Sequence, residues 1–302
     1  MRIAIIGGSG LEHRLSESGL LLGAELVRLD TPFGPTSAPI AVGTIAGSGV
    51  GVAILKRHGE GHVIPPHEVP YRANIWALKS LGVTHVIATG AVGSLREEVR
   101  PGGVMLVDQF IDRTSGTGSR GHNRTFFDRA AVHVEFAEPT CAQMRSWLMA
   151  AATDGQGVGI AVRNGGTYVC IDGPSFSTRA ESVMHRTLGA DVVGMTALPE
   201  ARLVREAEMA YALVALPTDY DCWRERSVAS GQSLLSEIIG NLRASADAAA
   251  RLIEHAIRDV SALRGAPSAA HDALGLAIWT SKDRIDPYEI RRLGPIWSRH
   301  FV

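Results

Sequence analysis

The sequence predicts an α/β fold, and three observations carry the prediction. Short apolar runs rich in Val, Ile, Ala and Leu recur at residues 2–6, 50–55, 84–88, 104–107, 166–171, 192–193 and 212–216. Runs this short, without polar alternation, read as strands buried on both faces. Stretches with helical spacing lie between them, and most runs stop at a cluster of Gly, Ser, Thr, Asp or Arg. In an open α/β sheet ligands bind beyond the carboxyl ends of the strands, so a site is sought at these clusters.

A chain of 302 residues, 45% hydrophobic and 20% charged, has enough apolar material for one large core. Its net charge of -1 offers no footprint for nucleic acid or an anionic membrane, which leaves a small molecule as the expected partner. Cys141, Cys170 and Cys222 are too far apart for a disulfide framework or a C-x-x-C site, so reduced thiols and a cytoplasmic location are expected. The chain opens directly on a strand-like run, without a leader-type apolar segment, and no stretch of about 18 apolar residues follows, so no membrane segment is expected.

Residues 2–6 run into Gly7-Gly8-Ser9-Gly10, a turn whose backbone can approach an anion closely; a plain tight turn fits the same residues. A dinucleotide fingerprint is excluded because His13 holds the third glycine's place, and no Walker lysine follows. Residues 30–50, rich in Pro, Gly, Ser and Thr, read as a turn-laden connection with short strand pairings. The run 50–55 leads into Lys56-Arg57-His58-Gly59-Glu60-Gly61-His62, where Arg57 has the fork that suits a phosphate and a solvated charged loop is the alternative. His58 and His62 are four apart, yet Gly59 and Gly61 argue against a helix and the general base of H-E-x-x-H is absent; no metal is expected.

Spacing over 68–81 predicts a helix closed by Gly82. The run 84–88 ends at Thr89-Gly90-Ala91-Val92-Gly93-Ser94, small residues that leave room for a ligand or permit close packing. Strand 104–107 leads to Asp108–Thr114, and a Gly-, Ser- and Arg-rich loop at about 115–130 is a candidate lid. Helix 140–152 and strand 166–171 follow. Thr178 and Glu181 form a capping box at a helix start, which leaves Ser177 to point elsewhere. The run 192–193 reaches Met195-Thr196, and a helix over 199–209 has Pro199 in its first turn.

The run 212–216 reaches Thr218-Asp219-Tyr220-Asp221-Cys222-Trp223. On an extended backbone Asp219 and Asp221 point to the same side and can share one ligand, one carboxylate accepting while the other donates. Solvated acids in a strand-end turn are the other reading. Residues 233–263 keep an apolar helical face over some eight turns. Residues 264–302 carry Trp279, Tyr288, Trp297 and Phe301, too aromatic for disorder and too short for a domain.

Taken together, Gly7-Gly8-Ser9-Gly10-Leu11, Arg57-His58-Gly59, Ala73–Leu78, Asp108–Thr114, Gly173-Pro174 with Phe176–Ser182, Met195-Thr196 with Pro199-Glu200, and Thr218–Trp223 resemble the 5'-methylthioadenosine phosphorylase family, the trimeric branch of the purine nucleoside phosphorylases. The resemblance covers about residues 2–260. It implies a single-domain nucleoside phosphorylase fold over 1–263, a mixed central β-sheet flanked by helices, with 264–302 as an extension packed on the domain or a subunit interface. It implies a homotrimer that cleaves a 5'-substituted adenosine with inorganic phosphate as co-substrate and no other cofactor. By motif position Ser9, Arg57, His58 and Thr196 form the phosphate shell, and Met195, Gly90 and Ala91 lie beside the sugar. Phe176 and Ser177 adjoin the base, Asp219 serves N7, and Asp221 accepts from the 6-amino group. His133 matches a position that reaches a neighbouring subunit's 5' pocket, with Val228 among the apolar walls. Gly90 stands where the family often has Thr, and Ser175 replaces its usual Arg. A 5'-halo nucleoside, a 6-oxopurine nucleoside and a non-catalytic nucleoside-binding role are the alternatives.

Overall fold

Strand β1 (Arg2–Gly7) lies inside the sheet because both its faces are apolar: Ile3, Ala4, Ile5 and Ile6 are each at most 1% exposed. The computed structural model describes residues 1–7, 17–114, 124–153, 161–224, 231–265 and 268–301. Their strands join in one mixed sheet. From one edge these run β2 (Leu21–Val27), β3 (Ile40–Ile45), β4 (Gly51–Lys56), β1, β5 (His85–Ser94), β10 (Val192–Gly194), β9 (Thr167–Cys170) and β7 (Gln109–Asp112). A branch leaves β5 through β11 (Ala210–Asp219) to β6 (Val104–Val107) and β8 (Val162–Asn164).

The branching positions the site. One edge of β5 pairs in parallel with β11 from His85 to Gly93. The opposite edge pairs with β1 only over His85–Ala88 and with β10 only at Gly93 and Ser94. Between those two neighbours the sheet opens along Thr89–Val92, so backbone and small side chains there face a gap instead of a strand.

Helices cover both faces, as continuous apolar strands require. Ala4 and Ile6 pack with α1 (Tyr71–Ser80) and α4 (Ala197–Glu206), while Ile3 and Ile5 pack with α2 (Ala142–Thr153) and α5 (Gly231–Ala256). The capping box appears as expected at α3 (Arg179–Thr187), where Glu181 N–H donates to Thr178 Oγ1 and Thr178 N–H to Glu181. Leu274, Leu293, Ile296 and Trp297 of the last stretch, which contains α6 (Pro287–Leu293), join the first core, and Arg299 clamps Glu208 through Nε and Nη2 at 2.8 and 2.7 Å. Trp279 and Tyr288 stay exposed. Among the described residues no helix is long and apolar enough to cross a membrane.

Several expected boundaries shift for local reasons. The helix over 68–81 starts at Tyr71, because Pro66 and Pro70 hold the preceding residues in a separate turn; Gly82 (φ 77°) closes it as expected. The strand at 84–88 continues to Ser94, since Gly93 must pass close to its neighbours: a Cβ there would lie 3.2 Å from both Asp221 Cβ and Val193 Cγ1. The strand at 212–216 likewise extends from Ala210 to Asp219. The long helix ends at Ala256, and a separate turn holds Ser261–Leu263. The helix over 199–209 begins at Ala197 and ends at Glu206. Strand β2 gives no sequence signal because five of its seven residues are exposed at the sheet edge. Of the expected lid, residues 115–123 lie outside the described residues.

Candidate active site

A pocket of about 1050 Å³ occupies the gap beside β5. Its walls are Arg57 and His58 beyond β4, Thr89–Gly93 of β5, Gly194–Thr196 at the entry to α4, and Thr218, Asp219, Asp221 and Cys222 at the end of β11. Phe176 and Ser177 lie on another side, and Ile238, Leu242 and Ala246 of α5 form an apolar wall. Gly90, Ala91, Met195 and Thr196 are therefore brought together with both aspartates.

One end is built around buried charge. Arg57 is 2% exposed and donates through Nε and Nη2 to Glu200 at 2.7 and 2.9 Å, and through Nη1 to the Thr89 carbonyl at 2.8 Å. That carbonyl lies on the open edge of β5. The Tyr211 hydroxyl donates to Glu200 Oε1 at 2.9 Å, so the carboxylate is held from two sides. Burial works to lower the guanidinium pKa, and Glu200 overrides it and holds the pKa above its ordinary value. The fork expected for a ligand is thus half spent inside the protein: its Nε edge serves Glu200, leaving charge and the remaining N–H groups for the pocket.

His58 follows. Its Nδ1 lies 2.8 Å from the Ile64 carbonyl, which only accepts, so Nδ1 carries the hydrogen and Nε2 is the acceptor of the neutral ring. Burial, with Arg57 adding to it, pushes the pKa down to about 4, so the ring is neutral near pH 7. His62 stacks on it at 4.2 Å. Thr196 precedes α4; its N–H donates to the Tyr168 hydroxyl at 3.2 Å, and its own hydroxyl makes no capping bond. Gly194 is required here because a Cβ would fall 2.1 Å from the Tyr168 hydroxyl. Gly173 (φ 65°) serves Met195 in the same way, its Cβ position lying 2.4 Å from the sulfur.

The other end carries the carboxylates. Asp219 closes β11, with the Thr218 hydroxyl 3.0 Å from its Oδ1. Asp221 does not share a face with it by strand alternation, as the spacing had suggested. The β11 ladder shifts register between Pro217 and Asp219, the strand then ends, and Asp221 sits in a left-handed turn (φ 40°) that Asp tolerates better than most residues. The turn brings it to the same pocket. Asp221 is 8% exposed and its pKa is raised, first by burial and further by the Asp219 charge. Cys222 donates its S–H to the Ser177 carbonyl at 3.2 Å, and the Ser177 hydroxyl is buried without a hydrogen bond. Phe176 stands at the rim, 83% exposed.

His133 does not line this pocket. It is exposed, edge-on to Trp279 at 4.6 Å, with its N–H on the Ala277 carbonyl. Ser9 and Val228 lie outside the described residues. Sequence reading missed the roles of Glu200, Tyr211 and Thr89 in holding Arg57. The signal for Glu200 was a lone carboxylate between Ala197-Leu198-Pro199 and Ala201, a charge in an apolar stretch that needs a buried partner. Among the described residues no group of His, Cys, Asp and Glu is arranged to hold a metal ion.

A mixed sheet that splits around a pocket, with a buried cation at one end and paired carboxylates at the other, can hold an anion beside a ligand that offers polar groups to the carboxylates. The family model described as the Phosphorylase superfamily matches residues 2–258, and the chain belongs to that superfamily. Within it, the chain is similar to the S-methyl-5'-thioadenosine phosphorylase of Geobacter sulfurreducens, 44% identical over 292 residues that cover 96% of each chain. The corresponding enzyme of Pyrococcus abyssi is 47% identical over 228 residues, 75% of this chain and 82% of that one. Among solved structures, a methylthioadenosine phosphorylase from an antarctic soil metagenomic library superposes with a TM-score of 0.85 at 42% identity, covering 97% of this chain and 98% of that one. A mutant adenosine/methylthioadenosine phosphorylase of Schistosoma mansoni, in complex with tubercidin, gives 0.72 at 35% identity over 85% of this chain and 90% of that one.

Proposed function

We propose that this enzyme is a pentosyltransferase that cleaves 5'-methylthioadenosine with inorganic phosphate, releasing adenine and 5-methylthioribose 1-phosphate. The observation that carries the reading is one pocket with Arg57, His58 and Thr196 at one end and Asp219 with Asp221 at the other. The distance between these ends is bridged by small residues, Gly90 and Ala91, beside Met195, where a ribose fits.

In the reaction the C1'–N9 bond breaks with its electron pair moving onto the purine, and a phosphate oxygen bonds to C1' of the oxocarbenium-like sugar. Arg57 attracts the dianion, held in place by Glu200. The neutral His58 ring offers Nε2 to the hydrogen of a protonated phosphate. Thr196, at the start of α4, adds a hydroxyl, and Ser9 belongs to the same shell. Asp219 gives the leaving purine its hydrogen bond or proton at N7, which lowers the barrier because negative charge develops there. Asp221 accepts from the 6-amino group, and Phe176 covers the base beside Ser177.

The apolar wall of α5 suits a methylthio group better than a hydroxyl, which would lose water without replacement bonds. The site is completed in a homotrimer, with His133 directed to a neighbouring subunit's 5' pocket and residues 264–302 forming an extension packed on the domain of residues 1–263. Phosphate is the co-substrate and no other cofactor is needed, nor a metal. The three separate thiols fit a cytoplasmic enzyme. Adenine release from 5'-methylthioadenosine, measured with and without phosphate, tests the reading.

A further inference from the structure

Around Asp221, three shielded side-chain atoms complete no hydrogen bond: Oδ2 of Asp221, Oγ of Ser182 and Nδ1 of His185. Ser182 and His185 are 0% and 2% exposed, and three residues apart they share the inner face of α3. Both bear on Asp221. The Ser182 hydroxyl lies near enough to favour the carboxylate, though outside good hydrogen-bond geometry, and the His185 ring favours it by charge. Burial, with Arg113 after β7 adding to it, lowers the His185 pKa from its ordinary value, while Asp221 after β11 and Glu181 on α3 pull the other way and favour its charged form. Asp219 acts on Asp221 against the ionised form. Buried polar atoms are nearly always paired, so an unspent carboxylate oxygen of the pocket with two unspent side-chain atoms on the helix beside it singles this cluster out.

We propose that His185, acting with the Ser182 hydroxyl, is a positioning residue that keeps Asp221 ionised, so that the pocket accepts a 6-amino purine and discriminates against a 6-oxopurine. The inference rests on the phosphorylase reading of the same pocket. A buried acid and imidazole that act on each other hold protons as a pair. With the proton on His185, Asp221 presents only acceptors and suits an exocyclic amine. With the proton on Asp221 Oδ2, it donates and suits a carbonyl at C6. The two states differ only in which member of the pair holds the shared proton. No other group gains or loses a proton.

The test compares wild type, His185→Gln and Ser182→Ala in kcat/KM for 5'-methylthioadenosine and 5'-methylthioinosine, across about pH 5 to 9. Wild type that fails to release adenine in phosphate sinks the functional reading itself, separately from this inference. Given active wild type, His185→Gln moves the acidic limb for the 6-amino substrate upward by roughly one pH unit, about tenfold in rate below the limb, through KM more than kcat. The ratio of 6-oxo to 6-amino activity rises by about tenfold near neutral pH. Ser182→Ala, a smaller change that keeps the helix, shifts both in the same direction. Limbs and ratios that stay at wild type in the folded variants overturn the proposal. So does a loss equal at every pH and for both substrates, which a purely structural role would give.

Discussion

Arg57 and Glu200 meet in a doubly hydrogen-bonded pair, at 2.7 and 2.9 Å, with both side chains 2% exposed. The pair joins the end of β4 to α4 across 143 residues and sets where the cation faces the pocket. Removing one partner of such a pair leaves the other charge buried and unpaired. Glu200→Ala should therefore destabilise the protein by about 3–5 kcal/mol in urea unfolding. It should also raise the KM for phosphate more than that for nucleoside, because Arg57 loses its anchor. Unchanged stability would show that Glu200 is dispensable to the fold.

Asp219→Asn keeps the size and the Thr218 contact but removes the acid. Turnover of 5'-methylthioadenosine should fall by about 10²–10⁴ in kcat, the usual share of a general acid. Steady-state kinetics that return a wild-type kcat would remove Asp219 from the chemistry.

Two glycines of the pocket predict opposite outcomes. At Gly194 an added Cβ meets the buried Tyr168 hydroxyl at 2.1 Å, so Gly194→Ala should cost at least about 1–3 kcal/mol of stability. At Gly90 the nearest atom is Thr196 Oγ1 at 3.4 Å, an ordinary contact, so Gly90→Thr should fold. Its added hydroxyl should lower the KM for phosphate by a few fold, roughly the worth of one hydrogen bond. A melting temperature that drops equally in both would contradict the geometry.

His85 gives a pH signature. Burial, with His271 adding to it, depresses its pKa from 6.5 to about 4. Between those values the unfolded chain takes up a proton that the folded chain refuses, so this contribution is present above pH 6.5 and lost as pH falls toward 4. His58 acts in the same direction. Glu206, raised by burial to about 7, acts oppositely, weakening the fold as pH rises from 4.5. A difference measurement isolates His85: the melting-temperature gap between wild type and His85→Gln should shrink between about pH 7.5 and 5. A gap constant over that range would mean that His85 is not held neutral.

Much of the fold was legible because both-face burial leaves unbroken apolar runs, as in Ile3–Ile6 and Ala212–Leu216. Edge strand β2 was not, since its residues face solvent and carry no pattern. The strand was expected to end before Thr89–Ser94 because small, glycine-rich side chains obscure a strand that continues to Ser94. At the site, Arg57, His58, Thr196, Met195, Asp219 and Asp221 line one pocket. The partners that hold them were hidden by distance in sequence: nothing local to Arg57 announces Glu200 or Thr89. The geometry of Asp221 was misjudged because a register shift and a left-handed turn follow no strand period.

The proposed reaction is cleavage by phosphate, not water, of a 5'-methylthio nucleoside in the β5 gap. The most direct measurement is adenine release from 5'-methylthioadenosine by the purified protein, with inorganic phosphate present or removed. Adenine should appear only when phosphate is present, matched mole for mole by 5-methylthioribose 1-phosphate. Equal release without phosphate, or no release with it, would contradict it.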